Sequence, residues 1–476
     1  MTTSPPPTWN VTRLISAAFY VLLAAALVLS RLVQLDKSFW QDEIYFVGHF
    51  VREGPGEILG GPDLSHELYG LLTWATAEIA GESELAFRLW SAIPFIVGVL
   101  VVAAWLHTRL SSTAGLLFVF LATVSPLLLD LSRQARGYGL AFLAMSVLII
   151  AALEADRTAQ ALAVTVMCVA GVLGTWTLPQ FGIAFLSTGV ILLADRRNRK
   201  TTAVGLLSSA VAIVAWYAPH LNQIHTSSQV ENGERISTAW LLTAPIDQIL
   251  LPGLVWIEGT ALLAGPIWLP LVLLAVLVIG SSPYVHDRNV GLILCSAPVV
   301  TIAALWAFGA YVWPRYLSYL LVPFFVLLSS GASAILERSG TRPALLRTVL
   351  CLVAIALLAA NFVSVAPDVV RLPRQANRDA AQLIETRSPS STPVLAYLTA
   401  PSNLAFYLDR PVRSLDGTDV ASRVCNEAVP VAYVMEPFGV EPVDVPCLRR
   451  AGVEHVRFPQ YAGGGEMNVW FVPPNG

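Results

Sequence analysis

The stretch that decides the fold is AFRLWSAIPFIVGVLVVAAWL, residues 86–106, in which Arg88 is the only charged residue. A helix needs about 20 mostly apolar residues to cross the hydrocarbon core of a bilayer, and this stretch is long enough. Similar apolar runs recur along the chain. They predict eleven membrane spans, at residues 13–33, 86–106, 113–131, 138–153, 159–176, 179–194, 202–218, 260–281, 289–309, 316–335 and 345–365. The sequence therefore predicts a polytopic α-helical membrane protein with about 11 transmembrane helices.

The composition of the 476-residue chain excludes other classes of protein. Hydrophobic residues make up 55% and charged residues 13%, whereas a soluble domain carries about 25% charged residues. Disorder needs low hydrophobicity and high charge, so it is excluded. A net charge of -3 without a long basic tract argues against nucleic acid as a partner. Lysine occurs only at Lys37 and Lys200, a usage typical of GC-rich genomes such as those of actinobacteria.

The charges between the predicted spans indicate the orientation of the chain. With a cytoplasmic N-terminus, the basic segments His107–Arg109, Arg196–Lys200 and Arg338–Arg347 all fall inside, as the positive-inside rule requires. The acidic stretch Asp36–Glu84 then lies outside, and an odd number of spans places the C-terminus outside as well. We therefore expect a multi-pass protein of the plasma membrane.

Two domains are expected: a membrane domain, 1–366, with outer loops at 34–85 and 219–259, and a small extracytoplasmic α/β domain, 367–476. The apolar segment Ile246–Trp256 of the second loop is too short to span and could lie in the interface. In the C-terminal domain, 374–387 is a predicted helix. Short apolar runs separated by turn residues predict strands, at residues 393–398, 403–408, 430–435, 455–458 and 469–472.

Cys425 and Cys447 lie 22 residues apart in this polar C-terminal region. In an oxidising compartment they could form a disulfide. The sequence alone leaves open whether the two side chains meet.

The first candidate site follows the first span and reads Trp40-Gln41-Asp42-Glu43-Ile44-Tyr45. Two adjacent carboxylates beside a membrane are costly to desolvate unless they have a partner or a task. One could be a general base that deprotonates an attacking hydroxyl, and the other a support or a metal ligand. The alternative is an acidic pair that is solvated in an outer loop.

The second candidate site reads Ser65-His66-Glu67-Leu68-Tyr69-Gly70. His66 and Glu67 could ligate a divalent cation or position a phosphate group. Alternatively, His66 only caps the helix that follows. The sequence lacks an HExxH motif here, so a zinc protease is not supported.

Arginines on the predicted outer side form the third and fourth candidate sites, Ser132–Tyr138 and Tyr311–Leu317. A guanidinium keeps its charge and can bind phosphate oxygens in pairs. For Arg133, snorkelling to the interface is the simpler explanation. Arg136 and Arg315 oppose the positive-inside trend and favour an anionic ligand, although an aromatic belt would account for the tryptophan and tyrosines around Arg315.

The order of these motifs resembles that of the GT-C glycosyltransferases of the protein-mannosyltransferase and aminoarabinose-transferase type. The likeness covers about residues 1–335. It is carried by five short segments: Trp40-Gln41-Asp42-Glu43, Ser65-His66-Glu67-Leu68-Tyr69, Glu84-Leu85-Ala86-Phe87-Arg88-Leu89, Arg136-Gly137-Tyr138, and Arg315-Tyr316-Leu317 with Pro323 downstream. The chain departs from the family at His66-Glu67-Leu68, where His-Pro-Pro is common, and at Trp176–Gln180, where a histidine is common.

The resemblance implies an inverting glycosyltransferase that uses a polyprenyl-phosphate-linked sugar, mannose or arabinose, and no nucleotide. Asp42 would be the catalytic base with Glu43 as support, and Arg136 and Arg315 would bind the donor phosphate. The substrate-binding candidates are Trp40, Tyr45, His66, Glu67, Tyr69 and Tyr138. A divalent cation is a candidate cofactor, with Glu43, His66 and Glu67 as its candidate ligands.

Membrane lipids and a cell-envelope acceptor, whether a glycan, a glycolipid or a protein, are the further partners that we expect. The competing function is a lipid or polysaccharide transporter or flippase. Transporters usually carry charged residues near mid-membrane and show repeated halves, whereas the charges here gather at the ends of the spans. A non-catalytic scaffold built around the C-terminal domain is a third interpretation.

Overall fold

The computed structural model describes residues 11–60, 66–158, 160–218, 268–308, 314–337, 342–397, 401–415, 420–436, 444–461 and 466–474. The predicted outer loop 219–259, with its interfacial segment Ile246–Trp256, lies outside the described residues. So do residues 311–313, the first part of the fourth candidate site.

Most of the described chain is helical. The helices are α1 (Val11–Leu32), α2 (Gln41–Phe46), α3 (Pro55–Gly60), α4 (Glu67–Ala80), α5 (Glu84–Arg109), α6 (Ser112–Val124), α7 (Pro126–Leu131), α8 (Tyr138–Thr158), α9 (Ala161–Thr177), α10 (Phe181–Ala194), α11 (Arg199–Tyr217), α12 (Trp268–Gly280), α13 (Pro283–His286), α14 (Arg288–Ala307), α15 (Leu321–Glu337), α16 (Arg342–Arg371), α17 (Asn377–Arg387), α18 (Pro401–Ala405) and α19 (Val420–Cys425). A π-helical turn, Val47–Val51, continues α2, and a 3₁₀ helix, Pro314–Leu320, leads into α15.

Six helical segments in the described part of the chain are long and apolar enough to cross a membrane. They are Glu84–Arg109, Tyr138–Thr158, Arg199–Tyr217, Arg288–Ala307, Arg315–Glu337 and Leu345–Arg371. Shorter apolar helices occupy Ala17–Leu32, Ser112–Val124, Ala161–Thr177 and Phe181–Ala194. A helical protein with several apolar spans is thus confirmed, while the number of eleven crossings stays a prediction.

The third predicted span, 113–131, is wrong as a continuous helix, because the structure divides it into α6 and α7. Proline disfavours the helical conformation of the residue before it, and Ser125, which precedes Pro126, has an extended backbone with ψ 114°. The Ser125 side chain then accepts a hydrogen bond from the backbone N–H of Leu128 at 3.3 Å, which starts α7.

The chain divides into two compact units. The first unit comprises residues 1–33, 59–72 and 88–366. Its core is a helical bundle with buried aromatic side chains from five helices, namely Phe95, Phe118, Phe142, Phe181 and Phe325. Helices α5 and α8 pack very closely, because a Cβ atom on Gly139 would lie only 1.8 Å from the carbonyl oxygen of Ser91.

The second unit comprises residues 34–58, 73–87 and 367–476. It contains a five-stranded sheet of order β2-β1-β3-β5-β4. Its strands are β1 (Val394–Tyr397), β2 (Val412–Ser414), β3 (Val431–Met435), β4 (Glu454–Pro459) and β5 (Glu466–Val472). Strands β2, β1 and β3 are parallel, and β3, β5 and β4 are antiparallel.

Apolar residues cover both faces of this sheet. Successive residues of a strand point to opposite faces, and Val394 packs with Ile384 of α17 while Leu395 packs with Val420 of α19. The predicted strand 403–408 is wrong, because Pro401–Ala405 forms α18. Proline is well tolerated in the first turn of a helix and not in a central strand. Cys425 at the end of α19 forms a disulfide with Cys447.

The first part of the outer loop, residues 34–58, is built into this second unit by hydrogen bonds. The Lys37 ammonium donates to the carbonyl oxygens of Val369 at 3.0 Å and Leu372 at 2.6 Å. The Asn377 side chain donates to the carbonyl oxygen of Phe39 at 3.2 Å. The acidic motif therefore shares a folding unit with the C-terminal sheet.

Candidate functional site

The two carboxylates of the acidic motif have different environments in α2. Glu43 is fully buried, and its Oε2 accepts a hydrogen bond from the backbone N–H of Trp40 at 3.1 Å. It thereby satisfies a donor at the helix N-terminus, which also favours negative charge. Asp42 is only half-buried. Of the two, Asp42 is the carboxylate with access to solvent, and Glu43 stabilises the helix that carries it.

Three polar side chains of the second unit fix the start of α2. The Gln375 Oε1 accepts from the backbone N–H of Gln41 at 2.6 Å, and its Nε2 donates to both oxygens of Glu436 at 3.2 and 3.0 Å. Gln460 donates to the same carboxylate at 2.8 Å. Gln375, Glu436 and Gln460 are all buried. The residue before Asp42 is thus tied to a carboxylate at the end of β3.

The two aromatic residues that flank the acidic pair differ in exposure. Trp40 is 7% exposed, and the Arg374 guanidinium lies 4.3 Å from the centre of its ring. Tyr45 is 40% exposed and packs against the His49 ring with centroids 4.6 Å apart. Trp40 therefore packs within the unit, and Tyr45 is the more exposed of the two. A sugar contact of either residue stays a prediction.

In the first unit, His66 lies at the start of α4 in a left-handed conformation, with φ 69°. Its backbone N–H donates to the carbonyl oxygen of Thr177 at 2.8 Å, and its Nδ1 accepts from the backbone N–H of Gly137 at 3.1 Å. A conformation this unusual for a histidine persists only where its surroundings enforce it, as these two hydrogen bonds do.

Gly137 allows this approach between α4 and the start of α8. A Cβ atom at this position would lie 2.6 Å from Thr177 Cγ2 and 2.9 Å from His66 Nδ1. Any larger residue would push His66 away. The Arg136-Gly137-Tyr138 motif therefore needs its glycine for close packing against the histidine.

Aromatic rings and two arginines surround the His66 imidazole. The rings of Tyr138 and Tyr316 meet it edge-on, with centroids 5.1 and 5.5 Å away. Burial lowers the pKa of His66 well below its ordinary value, and the positive charges of Arg136 and Arg315 lower it further. The ring is therefore neutral at physiological pH. Because Nδ1 accepts a hydrogen bond, the proton is on Nε2.

The structure thus brings together four predicted site residues of the first unit: His66, Arg136, Tyr138 and Arg315. Arg136 is 3% exposed, and the Arg315 guanidinium lies 5.9 Å from the centre of the Tyr316 ring. Two guanidinium groups near a neutral histidine form a positively charged site. Such a site favours phosphate or carboxylate groups.

Glu67, the residue after His66, is buried at 1% exposure. The indole N–H of Trp216 donates to its Oε2. Burial raises the pKa of Glu67 to about 7, and the Trp216 hydrogen bond opposes this only in part. Tyr69, a predicted sugar contact, is fully buried and packs in the interior.

The residues predicted to bind a metal do not assemble a ligand set in the described part of the chain. No group of three His, Cys, Asp or Glu residues there could hold a metal ion. The Nδ1 lone pair of His66 is engaged by Gly137. The divalent cation stays a prediction.

Comparison with solved structures identifies the fold. The apo structure of ArnT from Cupriavidus metallidurans matches with a TM-score of 0.57 at 12% sequence identity, over 97% of this chain and 98% of that chain. ArnT bound to undecaprenyl phosphate matches with a TM-score of 0.54 at 11% identity, over the same shares of the two chains. The chain has the GT-C fold.

A third structure with this GT-C fold is the Archaeoglobus fulgidus oligosaccharyltransferase in complex with Zn and sulfate. Its TM-score is 0.51 at 14% identity, over 94% of this chain and 72% of that chain. No protein-family model and no curated protein matches the sequence. At these identities, the likeness establishes the GT-C fold alone.

The sequence did not predict several residues around the candidate sites of this chain. The rings of Trp176 and Trp216 stack 4.2 Å apart beside Glu67, although their helices are separate in sequence. Gln375 and Glu436 are also far from Gln41 in sequence. In the sequence, each indole ends an apolar helix, which is equally typical of an interfacial belt. Trp176 also lies in the segment where the family commonly has a histidine.

Proposed function

We propose that this chain is an inverting membrane glycosyltransferase. It transfers a sugar, mannose or arabinose, from a polyprenyl-phosphate donor to a cell-envelope acceptor on the extracytoplasmic face of the plasma membrane. The observation that carries the proposal is the pair Arg136 and Arg315 around His66 in a chain of GT-C fold. ArnT of this fold binds undecaprenyl phosphate, and two guanidinium groups suit a phosphate ester of that kind.

In the proposed reaction, an acceptor hydroxyl attacks the anomeric carbon of the donor sugar. The new C–O bond forms as the bond between the anomeric carbon and the phosphate oxygen breaks, so the configuration inverts. The acceptor proton passes to the Asp42 carboxylate. Arg136 and Arg315 stabilise the negative charge on the departing polyprenyl phosphate.

Glu43 supports this role of Asp42 indirectly, since it holds the N-terminus of α2. His66 is neutral and carries its proton on Nε2, so it can donate a hydrogen bond without adding a charge beside the arginines. The extracytoplasmic position of the C-terminal domain is part of the proposal, and its disulfide suits an oxidising compartment.

The first test is sugar transfer by purified protein from a polyprenyl-phosphate donor. Asp42→Asn should lower kcat by about 10²- to 10⁴-fold, the usual contribution of a general base. Asp36→Asn is the matched control, because Asp36 is an exposed carboxylate of the same loop, and it should leave the rate unchanged. Full activity of Asp42→Asn would remove Asp42 as the base.

The second variant, Arg136→Ala, tests the phosphate site. We expect a loss of about 10²- to 10³-fold in transfer, the scale reported for a removed electrostatic stabiliser, together with weaker donor binding. Unchanged dependence on donor concentration would contradict the assignment. Movement of intact donor across a vesicle membrane without sugar transfer would favour the flippase.

A further inference from the structure

Three shielded polar atoms near the start of α4 lack a hydrogen-bond partner among the described residues. They are Glu67 Oε1, Trp176 Nε1 and Gln180 Oε1. A buried donor or acceptor that is left without a hydrogen-bond partner destabilises the protein. One such atom needs only a local explanation. Three of them in one region favour a ligand that supplies the missing partners.

The contacts of the neighbouring residues place the Glu67 and Trp176 atoms in one region of the first unit, and Gln180 lies four residues after Trp176 in the chain. Trp216 donates to Glu67, and its ring stacks on that of Trp176 at 4.2 Å with an angle of 19° between the planes. The backbone of His66 is hydrogen-bonded to Thr177, the residue after Trp176. Gln180 follows in the short turn before α10.

The chemistry of this cluster fits a hydroxylated ring. A hydroxyl group can donate to the acceptors Glu67 Oε1 and Gln180 Oε1 and accept from Trp176 Nε1–H. Trp176 is half-exposed, and an indole offers a broad apolar surface for the C–H face of a sugar. None of the four side chains carries a positive charge, so the cluster suits a neutral polyol better than an anion.

We propose that Glu67, Trp176, Trp216 and Gln180 form a subsite for a sugar ring, separate in chemistry from the arginines that bind phosphate. The inference rests on the proposed function, since the ring belongs to either the donor or the acceptor. Both sources present the same hydroxyl groups and apolar face. Two experimental arms distinguish them.

The first arm measures binding without turnover. Saturation-transfer NMR of the wild-type protein with methyl α-mannopyranoside and methyl arabinofuranoside should show contact with at least one glycoside. Glu67→Gln and Trp176→Phe should weaken that contact by about tenfold, as expected for one lost hydrogen bond to a charged or buried group. Trp306→Phe is the matched control, because Trp306 is 42% exposed on α14.

The second arm separates the two sources. If the ring is that of the donor, the variants weaken binding of the polyprenyl-phosphate sugar but not of polyprenyl phosphate itself. If it is that of the acceptor, they raise only the KM for the acceptor. Elution from a size-exclusion column like that of the wild type is the folding control for each variant.

The absence of any glycoside contact in the wild type, or equal contact in the Glu67→Gln and Trp176→Phe variants, would overturn the subsite. A failure of the proposed function looks different. In that case the wild type shows no sugar transfer, and Arg136→Ala does not change the binding of polyprenyl phosphate. Both results are independent of whether the glycosides bind.

Discussion

At the scale of single residues, two carboxyl groups show how the extent of burial suits similar side chains to different roles. Asp42 is half-buried and is carried by a helix whose N-terminus Glu43 caps. Glu67 is buried, and among the described residues one of its oxygens accepts a hydrogen bond from Trp216. The first is suited to proton transfer at a solvent-accessible position. The second favours its protonated form, because a buried negative charge is costly.

The raised pKa of Glu67 predicts that the stability of the protein depends on pH. The pKa is about 7 in the folded protein, compared with 4.5 in the absence of burial. The folded state therefore binds the Glu67 proton more tightly than the unfolded state does. Protonation of Glu67 contributes about 3 kcal/mol to the free energy of unfolding, and this contribution is fully present below pH 4.5. It is lost as the pH rises through about 7.

The measurement is the thermal unfolding midpoint in detergent at several values between pH 5 and pH 8. We expect the wild-type midpoint to fall over this range and Glu67→Gln, which cannot ionise, to show a smaller decline. An identical pH profile for the two proteins would mean that Glu67 does not titrate in this range.

Some residues of the candidate sites could be predicted from the sequence and others could not. The outer arginines opposed the general charge pattern, which predicted Arg136 and Arg315, and the structure brings both into the surroundings of His66. The buried state of Tyr69 and the covering of Trp40 by Arg374 could not be predicted. These depend on contacts between residues that are distant in the chain.

At the scale of elements, the attachment of α2 to the C-terminal domain is the main finding. Gln375 connects the backbone of Gln41 with the buried Glu436, so the helix bearing Asp42 is held by the sheet of its own unit. Misplacing a catalytic group by about 1 Å can cost about 10²-fold in rate. In the proposed reaction, Gln375 is therefore a positioning residue for Asp42.

Gln375→Ala should lower kcat for sugar transfer by about 10- to 100-fold and leave the KM for the donor nearly unchanged. Gln382→Ala is the matched control, since Gln382 is an exposed glutamine on α17. A loss of stability alone would reduce the amount of active enzyme, which active-site titration corrects for. An unaltered kcat per active site would show that α2 does not need this contact.

Apolar periodicity predicted where the helices lie, and local chemistry explains the exceptions. Segments 86–106 and 138–153 lie within α5 and α8. The break at Ser125 and the short helix at Pro401 both involve proline, whose effect on the backbone outweighs a nearby apolar pattern. Strand β2 was missed because its residues are mostly exposed and lack an apolar pattern.

At the scale of the whole molecule, the resemblance of a few ordered motifs was enough to predict the GT-C fold. ArnT matches nearly the full length of the chain at 12% identity. At such low identity, the apolar patterns still specify the same arrangement of helices, while the individual side-chain contacts differ. The division into units could not be predicted. Residues 34–58 and 73–87 join the C-terminal domain, and contacts such as that of Lys37 with Val369 connect residues more than 300 positions apart in the sequence.

The predicted orientation can be tested with cysteine variants in intact cells. Ser414→Cys places an exposed thiol at the end of β2, and Arg196→Cys places one in the basic segment after α10. A membrane-impermeant maleimide should label Ser414→Cys in intact cells and Arg196→Cys only after permeabilisation, with the wild type as background. The opposite labelling pattern would show that the topology is the inverse of the predicted one, and it would contradict an extracytoplasmic site.

The most direct test of the central claim is an electron cryomicroscopy structure of the full-length protein with polyprenyl phosphate added. We predict that the phosphate lies within hydrogen-bonding distance of the Arg136 and Arg315 guanidinium groups, beside His66, with its isoprenoid chain along the apolar helices. A phosphate bound elsewhere, with both guanidinium groups in contact only with protein, would contradict the proposed glycosyl transfer.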